Sequence, residues 1–228
     1  MKNCLVFDLD GTLVDTAPDL MMAHNYVMKK YGYDEKPLED IRYLAGRGAA
    51  QMLIRSIDSQ GRLIKKNPID PKTHQEMTND FIQYYRENID GHSKIRKNVI
   101  SLLEWCKQKD ILCAVCTNKR EDLAIKLLKK LDINKYFDFV AGADTFEYRK
   151  PDPRHLTNIL EILEIDKKNS IMLGDSETDA NTAKAADVYF ILISDGYTEQ
   201  NVNNIHHDKL IDEFEPVKEI AKNYLKID

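Results

Sequence analysis

Short β-rich apolar runs that alternate with amphipathic helical patterns constrain this chain more than any other feature. Runs at Asn3–Phe7, Ile111–Cys116, Phe137–Ala141, Ser170–Leu173 and Val188–Ile193 read as strands. Helical spacing fills the intervals at Val99–Lys109, Glu121–Leu131, Arg154–Leu163 and Thr178–Ala186. Parallel strands need long crossovers, which helices supply, so the pattern predicts an α/β fold. The expected architecture is a doubly wound, Rossmann-like parallel sheet of five strands with helices on both faces.

The alternation is interrupted once. From about Thr16 to about His92 no strand pattern occurs, and apolar residues fall at helical spacing: Leu20, Ala23, Val27 and Tyr31; Leu38, Ile41 and Leu44; Met52, Leu53 and Ile57; Met77, Phe81 and Tyr84. Pro37, Gly46, Gly48, Gly61, Pro68 and Pro71 punctuate it. A chain of 228 residues can bury one substantial core and still carry a smaller module. The predicted division is an α/β core from 1–15 and 93–228, with an inserted helical cap domain at 16–92. Ser59–Lys66 reads as helix end or loop, and Tyr197–His207 as a polar, turn-like stretch.

Composition excludes several classes of function. Hydrophobic residues at 43% and charged residues at 31% describe a folded, soluble chain. A net charge of −5 with scattered lysines and arginines leaves no basic footprint for nucleic acid. The apolar run before Asp8 is too short for a signal peptide or a membrane span, so the expected location is cytoplasmic. Cys4, Cys113 and Cys116 lie in strand-like runs, and all four cysteines are expected as free thiols. Cys113 and Cys116, three apart on a strand, face opposite sides and suit neither zinc nor a disulfide.

The chemistry-bearing residues gather at predicted strand ends. Asp8 and Asp10 leave the first strand in Asp8-Leu9-Asp10-Gly11-Thr12, and residues two apart on extended chain face the same way. Two carboxylates that close require a cation or a proton between them. Thr117-Asn118 ends the second strand just before a helix, where a hydroxyl and backbone N–H groups suit a phosphate. Lys150 stands before Pro151 as a fixed positive charge, and Asp175 and Asp179 end the fourth strand one helical turn apart. Each residue alone has an ordinary reading as a turn or cap residue; their order and common placement favour a site.

These four segments, Asp8–Thr12, Thr117-Asn118, Lys150-Pro151-Asp152-Pro153 and Gly174–Asp179, resemble the ordered motifs of the haloacid dehalogenase superfamily. The helical insertion is similar to the cap of one large branch. Within it, Asp15–Leu20, Leu44–Ala50 and Asp195-Gly196-Tyr197 look most like the phosphoglycolate phosphatase group, while Arg96-Lys97-Asn98 departs from the family's usual Pro-Gly turn. The resemblance implies a magnesium-dependent phosphatase acting on a small phosphate ester, with 2-phosphoglycolate foremost. Asp8 would be the nucleophile that forms a phospho-aspartate, and Asp10 the general acid and base. Asp8, the Asp10 carbonyl and Asp175 would hold Mg2+, with Asp179 orienting them from behind. Thr117, Asn118 and Lys150 would bind phosphate, with Lys150 also counted as catalytic, and Arg47, between Gly46 and Gly48, would meet a substrate carboxylate. A sugar phosphomutase of the β-phosphoglucomutase type and a non-catalytic phospho-ligand-binding module are the alternatives. The expected partner is a small-molecule phosphate ester rather than nucleic acid or membrane, with the chain a monomer or homodimer.

Overall fold

The computed structural model describes residues 2–64, 69–198 and 200–227, with side chains in 59–64 left aside. Five strands form where the apolar runs place them: β1 (Cys4–Phe7), β4 (Leu112–Cys116), β5 (Phe139–Ala141), β6 (Ser170–Gly174) and β7 (Tyr189–Ile193). A sixth, β8 (Lys209–Ile211), corrects the expected count of five. It is a three-residue edge strand with an exposed lysine, too short to show a period of two. The order is β5-β4-β1-β6-β7-β8, every pair parallel.

Alternation along β1 divides the interior in two. Leu5 and Phe7 join one apolar cluster with α5 (Val99–Gln108), α6 (Glu121–Lys130) and α9 (Val217–Leu225). Cys4 and Val6 join the other with α7 (Pro153–Ile162) and α8 (Glu177–Ala186). The sheet is therefore covered on both faces. Cys113 and Cys116 fall in opposite clusters, and all four cysteines are free and buried.

Between β1 and α5 the described residues form four helices, α1 (Ala17–Tyr31), α2 (Leu38–Leu44), α3 (Ala49–Ile64) and α4 (Pro71–Glu87). Within the segment 59–66 the chain is helical through Ile64, and Lys65 and Lys66 lie outside the described residues. Leu20, Ala23, Val27, Met52, Leu53, Met77 and Phe81 are buried together; on α4 it is Tyr85, four residues after Phe81, that is buried, while Tyr84 is half-buried. The first cluster continues from the sheet into these helices without a break. Among the described residues no helix is long and apolar enough to cross a membrane.

The two strands crossing between sheet and helices, β2 (Val14–Asp15) and β3 (Lys94–Ile95), pair antiparallel. Buried Asp19 near the start of α1 accepts from the backbone N–H of His92 and Ser93 and from the Ser93 hydroxyl, fastening the second crossing to the first. Arg96 donates to Gly11 O at 2.9 Å and also bonds Asp195 O. Asn98 supplies the left-handed backbone, φ 66°, at the turn where the family resemblance leads one to expect Pro-Gly. Asn tolerates that region better than most residues, so the departure keeps a usable turn.

Candidate active site

β4, β1 and β6 are neighbours in register, with Phe7 opposite both Val115 and Leu173, so their carboxyl ends emerge at one level. Asp8 extends the ladder by one bond, its N–H donating to Leu173 O at 2.9 Å. Thr117 follows β4 and Asp175 follows β6. Lys150 comes from the loop after β5, and Asp179 from the first turn of α8. Ligands of open α/β sheets bind at this end.

An ion cluster forms the floor. Lys150 Nζ lies 2.8 Å from Asp8 Oδ1 and 2.6 Å from Asp179 Oδ1. The second Asp179 oxygen accepts from the Ser176 hydroxyl at 2.6 Å and its N–H at 3.1 Å, which caps α8 and fixes the carboxylate. Asp175 accepts from the Thr12 hydroxyl and from the Tyr197 N–H, both at 2.5 Å. All four charged groups are buried. Gly11, at φ 87°, and Gly174 permit this crowding: a Cβ on either would come within 2.4 Å of Asp175 Oδ2 or of Asp179 Cβ.

Three carboxylates here face one ammonium. Asp8, Asp175 and Asp179 each bring an oxygen within 4.8 Å of the others. Burial raises the Asp8 pKa to about 7 against the pull of Lys150, with Asp179 and Asp10 adding to the rise. Burial, then the charges of Asp8 and Asp179, raises Asp175 well above the carboxylate range. Burial alone would lower Lys150, but Asp179 and Asp8 hold it above the ordinary lysine value. An excess of buried, hard oxygen donors fits a divalent cation such as magnesium, which would relieve that repulsion.

Around the floor the phosphate-facing groups are held by backbone contacts. Asn118 donates through Nδ2 to Lys150 O at 3.1 Å and Gly46 O at 3.2 Å, joining three loops, and its buried Oδ1 has no partner among the described residues. Thr117 is buried, and its hydroxyl accepts from the Lys119 N–H. The Lys150–Pro151 peptide is cis, and the Lys150 N–H donates to His155 Nδ1 at 3.2 Å. Burial, reinforced by the nearby Lys150 charge, lowers the His155 pKa to about 4, which keeps the ring a neutral acceptor.

Asp10 stands apart from the acidic cluster. Its side chain accepts from Thr16 Oγ1 at 2.7 Å and from Lys119 Nζ at 2.7 and 2.9 Å. Lys119 is 8% exposed, and its ammonium sits 4.5 Å from the centre of the Tyr85 ring. Burial opposes the Lys119 charge, yet Asp10 and Tyr85 raise its pKa above the lysine range. Sequence reasoning missed Lys119, since a lysine after Thr-Asn looks like any surface lysine until α4 covers it. Tyr197, singled out in the sequence only for its resemblance to the phosphoglycolate phosphatase group, has a hydroxyl that donates to Asp15 and accepts from the Ala17 N–H, tying the tail loop to the start of α1.

A cavity of about 320 Å³ opens over Asp8 and Asp10. Thr117, Asn118 and Lys119 line it from the sheet side; Gly46, Gly48, Met52, Thr78, Phe81 and Tyr85 line it from the helical side. Arg47 is elsewhere: its guanidinium bonds Glu177 Oε1 at 2.7 Å and borders a separate shallow depression with Tyr43 and Arg55. The structure thus brings together Asp8, Asp10, Thr117, Asn118, Lys150, Asp175 and Asp179, and leaves Arg47 outside the cavity wall.

The comparisons agree with this geometry. The family model for haloacid dehalogenase-like hydrolases matches residues 5–193. A phosphoglycolate phosphatase of Mesorhizobium japonicum is 34% identical over 226 residues, covering 99% of this chain and 97% of its own. One from Agrobacterium fabrum is 38% identical over 209 residues, covering 92% and 88%. Among solved structures, a predicted phosphoglycolate phosphatase from Haemophilus somnus superposes with a TM-score of 0.90 at 24% identity, over 96% of this chain and 98% of the other. A β-phosphoglucomutase from Clostridium difficile reaches 0.80, also at 24%, over 99% and 100%. The two structural matches speak to the fold, and the sequence matches to the family. The chain belongs to the haloacid dehalogenase-like hydrolases and is a phosphatase acting on phosphate monoesters.

Proposed function

We propose that the chain hydrolyses 2-phosphoglycolate, or a phosphate monoester of similar size, through a phospho-aspartate on Asp8 and with magnesium bound. The observation that carries this reading is the pairing of two unlike aspartates at one cavity floor. Asp8 is held by Lys150 among buried carboxylates, and Asp10 is held apart from them by Lys119 and Thr16. The names of the full-length relatives point to the same substrate.

In this mechanism an Asp8 oxygen attacks phosphorus as the bond to the ester oxygen breaks, giving an acylphosphate on Asp8. Asp10 gives its proton to the departing alkoxide, then takes one from the water that cleaves the acylphosphate and releases phosphate. Lys150 neutralises Asp8, while Thr117 and Asn118 hold phosphate oxygens. Asp8 and Asp175, with the Asp10 carbonyl, would hold the magnesium, whose charge when bound offsets that of the phosphate and carboxylates; Asp179 would keep Lys150 and Asp175 in place. Residues 16–92 would act as the cap that excludes water, hinging where β2 and β3 cross. The four free thiols suit a reducing compartment, and we place the enzyme in the cytoplasm.

A panel of phosphate esters assayed with magnesium tests the reading, with Asp8→Asn as control. The expected result is turnover that peaks on phosphoglycolate, needs Asp8, and leaves a protein-bound phosphate discharged by hydroxylamine. Isomer formation from glucose 1-phosphate without phosphate release would replace it with the mutase reading.

A further inference from the structure

Besides Lys150, a second buried cation, Lys119, stands at the site, and it lines the cavity. Lys150 serves Asp8; Lys119, also buried, serves no phosphate-facing group and instead reaches toward Asp10 under the ring of Tyr85. A buried ammonium needs its charge compensated, and in the free enzyme Asp10 does so with both oxygens. An ammonium has three donors, so a second acceptor can be taken on without losing the first.

Asp10 fixes where that second acceptor would lie. To protonate the ester oxygen of a substrate, its carboxyl must come within about 3 Å of that oxygen. Lys119 Nζ is 2.7 Å from Asp10 Oδ1, so the ammonium lies within about 6 Å of the ester oxygen. Groups attached one carbon beyond the ester oxygen fall inside that span. The two arginines that line the cavity offer less: Arg120 is exposed and turned to Asp122 and Asp144, and Arg149 is exposed at the rim, while Arg47 lies outside the cavity, held by Glu177.

We propose that Lys119 is the specificity residue for an anionic leaving group: its ammonium, aimed by Asp10 and Tyr85, receives a carboxylate one methylene from the ester oxygen. This rests on the phosphatase reading above and narrows its substrate class to esters of short hydroxy acids. The same ammonium positions Asp10, so removing it affects two things that substrates can separate. p-Nitrophenyl phosphate has a leaving group that needs no acid. Hydroxyethyl phosphate needs the acid but carries no carboxylate, and phosphoglycolate needs both.

The experiment measures kcat/KM for the three esters in the wild-type protein and in Lys119→Met, which keeps much of the stem over Tyr85. The wild type is expected to prefer phosphoglycolate over hydroxyethyl phosphate. In Lys119→Met that ratio is expected to fall at least about tenfold, while p-nitrophenyl phosphate, which needs Asp10 only in the hydrolysis of the acylphosphate, reads the part of any rate loss that comes through Asp10 as base. A ratio unchanged from a selective wild type overturns the assignment while leaving the phosphatase reading intact. A wild type that cleaves hydroxyethyl phosphate as well as phosphoglycolate overturns the substrate reading and Lys119's role together. Should the methionine variant fold poorly, Lys119→Arg keeps the charge against Asp10 and moves it along the cavity. It is expected to change the preference between phosphoglycolate and the acid ester one carbon longer, and an unchanged preference counts against the proposal.

Discussion

The floor and the roof of the cavity are built on different principles. On the floor, Asp8, Lys150, Asp175 and Asp179 are buried, and each is held by at least two polar contacts among ion pairs and backbone or hydroxyl bonds. On the roof, Met52, Thr78, Phe81 and Tyr85 present helix faces packed mainly by apolar contact. Fixed charge in a dry site defines a reaction, whereas an apolar wall defines only which shapes fit. The difference implies that changes to these four floor residues act on turnover whatever the substrate, and that choice between substrates falls to the roof and to Lys119 beneath it.

The largest effect that could break this division is on Asp8. Asp8→Asn removes the proposed nucleophile and should lower kcat by about 10³-fold or more on every ester in the panel. It also removes one of three crowded carboxylates while leaving Lys150 its bond to Asp179, so the melting temperature should not fall. Activity lost unevenly across the panel would show that the floor takes part in substrate choice.

Lys150→Met should cost both activity and stability. Removing the ammonium leaves Asp8 and Asp179 facing each other in a buried site, and losing one partner of such a cluster costs about 3–5 kcal/mol. Urea denaturation without magnesium measures it. A loss below about 1 kcal/mol would mean that the carboxylates relieve their repulsion by taking up protons.

That relief has a sign that can be checked with magnesium. The folded Asp8 pKa of about 7 lies above its ordinary 3.8, so the folded chain binds more protons than the unfolded one. Without metal, this contribution is complete below pH 3.8 and is lost as pH rises through 7. Magnesium would replace the proton, so the rise in melting temperature on adding it should grow across that window and largely vanish in Asp175→Asn. A magnesium effect equal at both ends of the window would place the ion away from Asp8.

The floor was legible in the sequence because its residues sit at fixed offsets from strand ends. Once Asn3–Phe7 reads as a strand, Asp8 and Asp10 must leave it together, and Asp175 follows β6 by the same logic. β8 was not legible, since three residues carry too little alternation. On α4 the stripe Met77, Phe81 continues at either three or four residues, and only packing selects Tyr85 over Tyr84. That choice is what covers Lys119, so the residue proposed to read the substrate depended on a helix rotation invisible in the sequence. Arg47, flanked by glycines in a polar turn, looked available for a ligand; the partner it finds, Glu177, is 130 residues away.

Arg47 also gives the smallest expected effect. The Arg47–Glu177 pair joins the loop before α3 to the start of α8, with the arginine side chain 45% exposed. Exposed pairs contribute about 0–1 kcal/mol and weaken with salt. Arg47→Ala should therefore change kcat/KM for phosphoglycolate by less than about threefold, because the guanidinium lies outside the cavity wall. Glu177→Gln should act in the same way, and the double variant should add nothing to either single one, since the two side chains matter only through each other. A rise in KM confined to carboxylate-bearing esters in Arg47→Ala would instead require Arg47 to leave Glu177 and swing over the cavity when substrate binds, and the roof would then carry a charge of its own.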